Sequence, residues 1–177
     1  MPTTFTRPRS PGFAGTKGTF ELSWELFGET CRALAVRVAH DYRPDLVIGI
    51  ATAGVIPAAT VAAILEADFE AMRISRRDGR KLHPEPRVLS ATPVRCRGKR
   101  VLIVDEITTS GDTLRLALAA VREVGPADVR TATSFVRPGG YRPNYFSLET
   151  DQLIVYPWDR QVVTDGELVA APFYAAG

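Results

Sequence analysis

The stretch Val101-Leu102-Ile103-Val104, followed at once by Asp105 and Glu106, constrains this chain more than any other part of it. Four apolar residues in unbroken succession do not alternate as a half-exposed strand does. They read as a strand covered on both faces, the usual state of a strand in a parallel sheet. A second such run, Asp45 to Ala51 (DLVIGIA), is rich in branched residues and reads the same way. Phe69 to Ser75 alternates as a strand, and Val129 to Val136 supplies another. Helical stretches lie between them. VIPAATVAAIL follows the first run, and LRLALAAVREVG follows the acids and is closed by Gly125 and Pro126. Upstream, Trp24, Phe27, Cys31, Leu34, Val38 and Tyr42 recur at spacings of three and four, with Ser23 placed to cap the helix and Arg43-Pro44 to stop it. Trp24 reads as a core residue. Strands alternating with helices predict an α/β fold, a parallel sheet with helices on both faces.

The stretch from Arg76 to Pro86 (RRDGRKLHPEP) is polar and punctuated by Gly79, Pro84 and Pro86, so it reads as a mobile loop. A chain of 177 residues suits one domain. Residues 1–20, rich in Pro, Gly, Thr and Ser, are expected to form a flexible arm, and residues 21–177 the domain proper. A net charge of +2 is too even to point to a nucleic-acid partner. Cys31 and Cys96 have no metal-ligand spacing, which favours a reducing compartment over a zinc site. There is no apolar run of the ~18 residues a membrane span needs. The amino terminus lacks the apolar segment of a signal peptide. A cytoplasmic location is expected.

In open α/β sheets ligands gather at the carboxyl ends of the strands. The most chemically loaded such end here is Asp105-Glu106-Ile107-Thr108-Thr109-Ser110-Gly111-Asp112-Thr113. After Glu106 the chain offers backbone N–H groups and hydroxyls at a helix N-terminus, which suits an anion. Gly111 permits close backbone approach. Two carboxylates beside a phosphate cradle would repel the ligand unless they face hydroxyls or a hard cation such as Mg²⁺. Cradle and acids together describe a phosphorylated sugar.

VLIVDEITTSGDTL resembles the phosphoribosyl-diphosphate signature of type I phosphoribosyltransferases, an apolar strand, two acids and a Thr/Ser-Gly-x-Thr phosphate loop. The likeness runs from Ser23 to about Val162. SWE, RPDLVIGIATAGVIPA and PNYFSLETDQLIVYPWD are similar to the small prokaryotic xanthine-guanine or hypoxanthine branch. The resemblance implies the type I fold with a small terminal hood over about residues 137–177. It implies transfer of ribose 5-phosphate from 5-phosphoribosyl 1-diphosphate to a nitrogenous base, with release of pyrophosphate, in a homodimer or homotetramer. Asp105 and Glu106 would hold the ribose 2- and 3-hydroxyls and serve Mg²⁺, with Glu106 nearer the metal. Thr108, Thr109, Ser110, Gly111, Asp112 and Thr113 would make the 5-phosphate site, with the Asp112 side chain directed outward. Thr109 joins Asp105 and Glu106 as the expected catalytic group.

The turn Thr52-Ala53-Gly54 matches the loop that grips pyrophosphate, though related sequences often carry Arg where Thr52 stands. The basic stretch Arg76 to His83, with Arg80 and Lys81, could supply the missing charge. Arg137, Leu153 and Ile154 fall at the positions that bind the base. Purine enzymes of this branch usually have Asp at Thr109, Lys at Arg137 and a stacking Trp at Leu153. These departures disfavour an ordinary 6-oxopurine acceptor. They also fit an alternative, a non-catalytic regulator that binds phosphoribosyl diphosphate. Pro157 and Trp158 are expected to anchor the hood and not to touch ligand. An S-adenosylmethionine enzyme is disfavoured, because no Gly-rich turn follows the first strand.

Overall fold

Residues 17–78 and 81–171 are described by a computed structural model of the chain. In chain order they form β1 (Thr19–Glu21), α1 (Trp24–Asp41), β2 (Leu46–Ala51), α2 (Val55–Leu65), β3 (Asp68–Asp78), β4 (Lys81–Val88), β5 (Arg100–Thr108), α3 (Asp112–Val124), β6 (Asp128–Val136), β7 (Tyr145–Glu149), β8 (Leu153–Val155), β9 (Gln161–Thr164) and β10 (Glu167–Ala170). Two compact units divide these elements. One comprises residues 28–150, the other residues 17–27 with 151–171. Among the described residues no helix is long and apolar enough to cross a membrane.

The larger unit holds a six-stranded sheet in the order β4-β3-β2-β5-β6-β7. Its pairs are parallel except β3 with β4, which is antiparallel. The two unbroken apolar runs pair with each other at its centre, Leu46 opposite Val101 and Ile48 opposite Ile103. Helices cover both faces, which is why these strands can be apolar on both. Leu46, Ile48, Ile50, Val101 and Ile103 pack with Leu114, Ala117 and Val121 of α3. On the other face α2 lies against Gly49, where an added Cβ would stand 2.8 Å from Ala58 Cβ and 3.0 Å from Val55 Cα. The predicted α/β class, a parallel sheet with helices on both faces, is present.

Two expectations are corrected in detail. The segment read as a loop from Arg76 to Pro86 is instead mostly a β-ribbon, with Arg77 opposite Leu82 and Asp78 opposite Lys81. Pro84 and Pro86 had argued against a strand, but β4 is the edge of the sheet, where a missing N–H is tolerated. Trp24, read as core, is 56% exposed. The buried stripe of α1 begins one turn later, at Phe27, and continues through Cys31, Leu34 and Val38. The flexible arm was expected over residues 1–20. Its residues 1–16 lie outside the described residues, whereas Thr19 and Phe20 are in β1.

In the smaller unit β1 runs parallel to β8, and β9 forms a hairpin with β10. Trp158 stacks on Tyr156, with centroids 4.7 Å apart, and meets the edge of Phe27 at 5.1 Å. Such pairs add to simple area burial. Arg160 ties the ends of this unit, pairing with Glu21 at 3.3 Å and donating to the Leu22 carbonyl at 3.3 Å.

Candidate active site

The carboxyl ends of β2 and β5 are neighbours, so the turn after one meets the acids on the other. Asp105 is buried, at 8% exposure, and its Oδ1 accepts the Glu106 backbone N–H at 3.0 Å. Burial holds the Asp105 carboxyl well above the usual carboxylate range, and the adjacent Glu106 charge pushes the same way. Against it lies Gly54. An added Cβ there would stand 2.5 Å from Asp105 Oδ1, 2.9 Å from Asp105 Cα and 2.7 Å from the Ile50 carbonyl oxygen. Gly54 is also the N-cap of α2, in ordinary helical conformation. The glycine at this position is therefore a matter of space and not of backbone angle. The Ala51–Thr52 peptide is cis, Thr52 is exposed, and Ala53 is half-buried.

Beyond Glu106 the strand continues to Thr108, which is buried, and the chain then turns through exposed Thr109 and Ser110. Gly111 caps α3 with φ of +81°, in the left-handed region. The helix starts at Asp112, so the loop delivers its free N–H groups at a helix N-terminus, as the sequence predicted. Ser110 Oγ donates to Asp112 at 2.7 Å. The Asp112 carboxylate is half-exposed and stands 3.4 Å from both Arg76 and Arg115. Arg76 was expected in a basic loop serving the pyrophosphate, and its partner here is Asp112 at the start of α3. They meet because β3 continues past Ser75 and carries the guanidinium to the start of α3.

Beyond Arg137, the segment after β6 was missed. Arg137 N–H donates to the Thr108 carbonyl at 3.1 Å, and Tyr141 N–H to the Thr109 carbonyl at 2.8 Å. A Cβ on Gly140 would come 2.6 Å from that same Thr109 oxygen. A Cβ on Gly111 would come 2.7 Å from Tyr141 Cδ1, and nearer still to Tyr141 Cγ and Cβ. The sequence signal was the pair Gly139-Gly140 before an aromatic residue, just past a buried strand.

The larger unit thus brings together Gly54, Asp105, Glu106, the loop Thr108 to Thr113, and Arg137. The Arg137 side chain donates to the Thr150 carbonyl at 3.1 Å. Lys81 is exposed at the start of β4, and Arg80 lies outside the described residues. Leu153 is half-buried and Ile154 buried on β8, in the smaller unit. Among the described residues no three His, Cys, Asp or Glu side chains converge as a protein-only metal cage. A buried carboxylate next to a second one nevertheless fits Mg²⁺, which characteristically takes one or two carboxylates and completes its shell with water and ligand oxygens.

The chain matches the family described as "Phosphoribosyl transferase domain" over residues 22–164. It is 32% identical over 158 residues to a xanthine-guanine phosphoribosyltransferase of Nitratidesulfovibrio vulgaris, a match that covers 86% of this chain and 92% of that one. It is 35% identical over 125 residues to the "Bifunctional protein PyrR" of Chloroflexus aurantiacus, covering 60% of this chain and 68% of that one. The crystal structure of a purine phosphoribosyltransferase from Pyrococcus horikoshii superposes with a TM-score of 0.71 at 28% identity, covering 83% of this chain and 98% of the other.

Proposed function

The chain belongs to the phosphoribosyltransferase family, and from that premise we propose how its own residues carry out the transfer of ribose 5-phosphate from 5-phosphoribosyl 1-diphosphate to a nitrogenous base. The observation that carries the reading is the buried Asp105 carboxylate packed against the Gly54 turn, on the strand that runs into the loop ending at Gly111. In the reaction the bond from ribose C1 to the diphosphate oxygen breaks, a ring nitrogen of the base bonds to C1, and that nitrogen's proton is lost.

Asp105 and Glu106 accept hydrogen bonds from the ribose 2- and 3-hydroxyls and place negative charge near a ribosyl centre that becomes cationic. The backbone amides and hydroxyls from Thr108 to Thr113 hold the 5-phosphate. The amides of Thr52, Ala53 and Gly54 face the diphosphate, and Lys81 and Arg80 add positive charge. Arg137 donates to a carbonyl of the base, with a planar fork that Lys lacks. Leu153 and Ile154 are assigned to the base by resemblance. Asp105 and Glu106 would also hold Mg²⁺, which when bound neutralises charge on the departing pyrophosphate. No covalent nucleophile is required, so the protein's task is positioning and electrostatics.

Thr109, Arg137 and Leu153 make the acceptor something other than an efficiently used 6-oxopurine. A role in nucleotide salvage, a cytoplasmic setting and a homodimer or homotetramer belong to the same reading. So does a small hood built from the C-terminal residues, whose aromatic cluster around Trp158 would serve as its anchor. A screen for Mg²⁺-dependent pyrophosphate release with hypoxanthine, xanthine, guanine, adenine, orotate and uracil tests the proposal. Steady release with at least one base supports it. Binding of phosphoribosyl diphosphate with no release for any base supports a regulator instead, a reading favoured by the loss of the carboxylate at Thr109.

A further inference from the structure

We propose that Arg115 and Tyr141 are positioning residues for the phosphate loop, together holding its carbonyls to one side so that its amides face the 5-phosphate. The inference rests on the assignment of Thr108 to Thr113 to that phosphate. Three successive carbonyls of the loop are engaged. Thr108 O accepts from Arg137 N–H at 3.1 Å, Thr109 O from Tyr141 N–H at 2.8 Å, and Ser110 O from Arg115 Nη1 at 2.7 Å. In a trans peptide the carbonyl of one residue points opposite to the N–H of the next. The N–H groups of Thr109, Ser110 and Gly111 are thereby directed away from these donors. Those three N–H groups have no backbone acceptor among the described residues. Three consecutive amides with their carbonyls tied back make an anion nest.

Two of the three ties come from backbone, and the third depends on a side chain. The Arg115 guanidinium lies over the Tyr141 ring, 4.7 Å from its centroid, so the ring fixes the cation that fixes Ser110 O. The same Tyr141 side chain occupies the space beside Gly111 that any Cβ would need. It is braced in turn against the core that α3 shares with the sheet. The 5-phosphate site is thus set from behind, by residues that never touch the ligand. Preorganised donors lose no binding energy to reorientation when the anion arrives.

The test compares the parent with Arg115→Met, Tyr141→Ala, Tyr141→Phe and the double variant Arg115→Met/Tyr141→Ala. Ribose 5-phosphate affinity by titration calorimetry reads the nest without turnover, and steady-state kinetics add KM and kcat. Loss of one hydrogen-bond tie should weaken ribose 5-phosphate binding about five- to tenfold in Arg115→Met. KM for phosphoribosyl diphosphate should rise in proportion, while KM for the base and kcat change less than about twofold. Tyr141→Phe should recover most of the affinity that Tyr141→Ala loses. In the double variant the loss should fall short of the product of the single losses, because the two side chains act on the same carbonyl. Equal ribose 5-phosphate affinity in parent and Arg115→Met overturns the inference, as does an equal rise in both KM values. If the parent binds ribose 5-phosphate more tightly than Arg115→Met yet releases pyrophosphate with no base, the transferase reading falls and the positioning role stands. A parent that does not bind ribose 5-phosphate overturns both.

Discussion

A methyl group on Gly54 would collide with Asp105, its Cβ falling 2.5 Å from the carboxylate oxygen Oδ1. The two residues are 51 positions apart in sequence numbering, Gly54 in the turn that follows β2 and Asp105 on the adjacent strand β5. Their contact joins the turn assigned to the diphosphate with the acid assigned to the ribose. It also explains why that acid is buried, because the backbone of the Gly54 turn covers it.

Gly54→Ala should therefore damage the site more than a single methyl normally does. The nearest neighbours of the new Cβ are a buried carboxylate, a backbone carbonyl and a Cα, none of them the end of a long flexible chain. Overpacking of this kind costs about 1–3 kcal/mol. The variant should unfold at a lower denaturant concentration, and kcat/KM should fall at least about tenfold as Asp105 is pushed from its position. Unchanged kcat/KM would show that Asp105 does not need its present place.

The Asp105 carboxyl is held well above the usual range, chiefly by burial and then by Glu106. Between the ordinary carboxylate value near ~3.9 and the raised value of the folded protein, the folded state binds more protons than the unfolded one. The contribution of Asp105 to stability is thus fully present at pH below the ordinary value and is lost as pH rises through the folded value. Asp105→Asn keeps an oxygen for the Glu106 N–H and removes the titration. Its melting temperature relative to the parent should be higher at pH 8 than at pH 4, while its transferase activity disappears. A difference in Tm that does not vary with pH would mean that Asp105 titrates in the folded protein as it does in the unfolded chain.

Gly111 is constrained twice, by a φ of +81° and by the Tyr141 side chain at its back. A β-branched residue in the left-handed region costs about 1–2 kcal/mol before any collision is counted. Gly111→Val should abolish binding of Mg²⁺-phosphoribosyl diphosphate, read by titration calorimetry. Affinity equal to the parent's would remove this loop from the binding site.

Much of this site was legible because its chemistry is continuous in sequence. The apolar run ending on Asp105 and Glu106, the hydroxyls of Thr108 to Ser110 and the glycine before α3 all fall within one strand-loop-helix passage. The central strands were equally plain, since burial on both faces leaves an unbroken apolar run. The β3–β4 ribbon was hidden for the opposite reason. On β4 only His83 is buried, so no apolar face marks the strand, and its prolines are compatible with a strand only at an edge. Tyr141, and the contact of Arg76 with Asp112, could not be assigned from spacing either. Each meets the phosphate loop through tertiary placement, one from the segment after β6 and the other from the far part of β3. The gap at Gly111 is visible as a need for closeness in the sequence, but only the fold shows that Tyr141 fills it.

Acceptor choice provides the last prediction. Where purine enzymes of this branch usually carry Asp, this chain has Thr109, exposed beside the phosphate loop. A purine N7 that gains or keeps a proton would find a neutral hydroxyl there in place of a carboxylate. A hydrogen bond to a charged group contributes roughly 1.5–3 kcal/mol. Leu153 in place of Trp forgoes an aromatic pair worth roughly 0.5–1.5 kcal/mol beyond its area. The combined deficit of roughly 2–4 kcal/mol corresponds to about 30- to 1000-fold in specificity against guanine and hypoxanthine. Arg137 offsets part of it only if its guanidinium, which donates to the Thr150 carbonyl, has a further N–H for the base. The triple variant Thr109→Asp, Arg137→Lys and Leu153→Trp should raise kcat/KM for guanine or hypoxanthine, with Thr109→Asp supplying the largest share. The measurement is kcat/KM for each base at saturating phosphoribosyl diphosphate, in parent and variants. A parent that already uses a 6-oxopurine with kcat/KM near ~10⁵ M⁻¹s⁻¹ defeats the argument, and recognition would then fall to Arg137 and to backbone groups around Ile154.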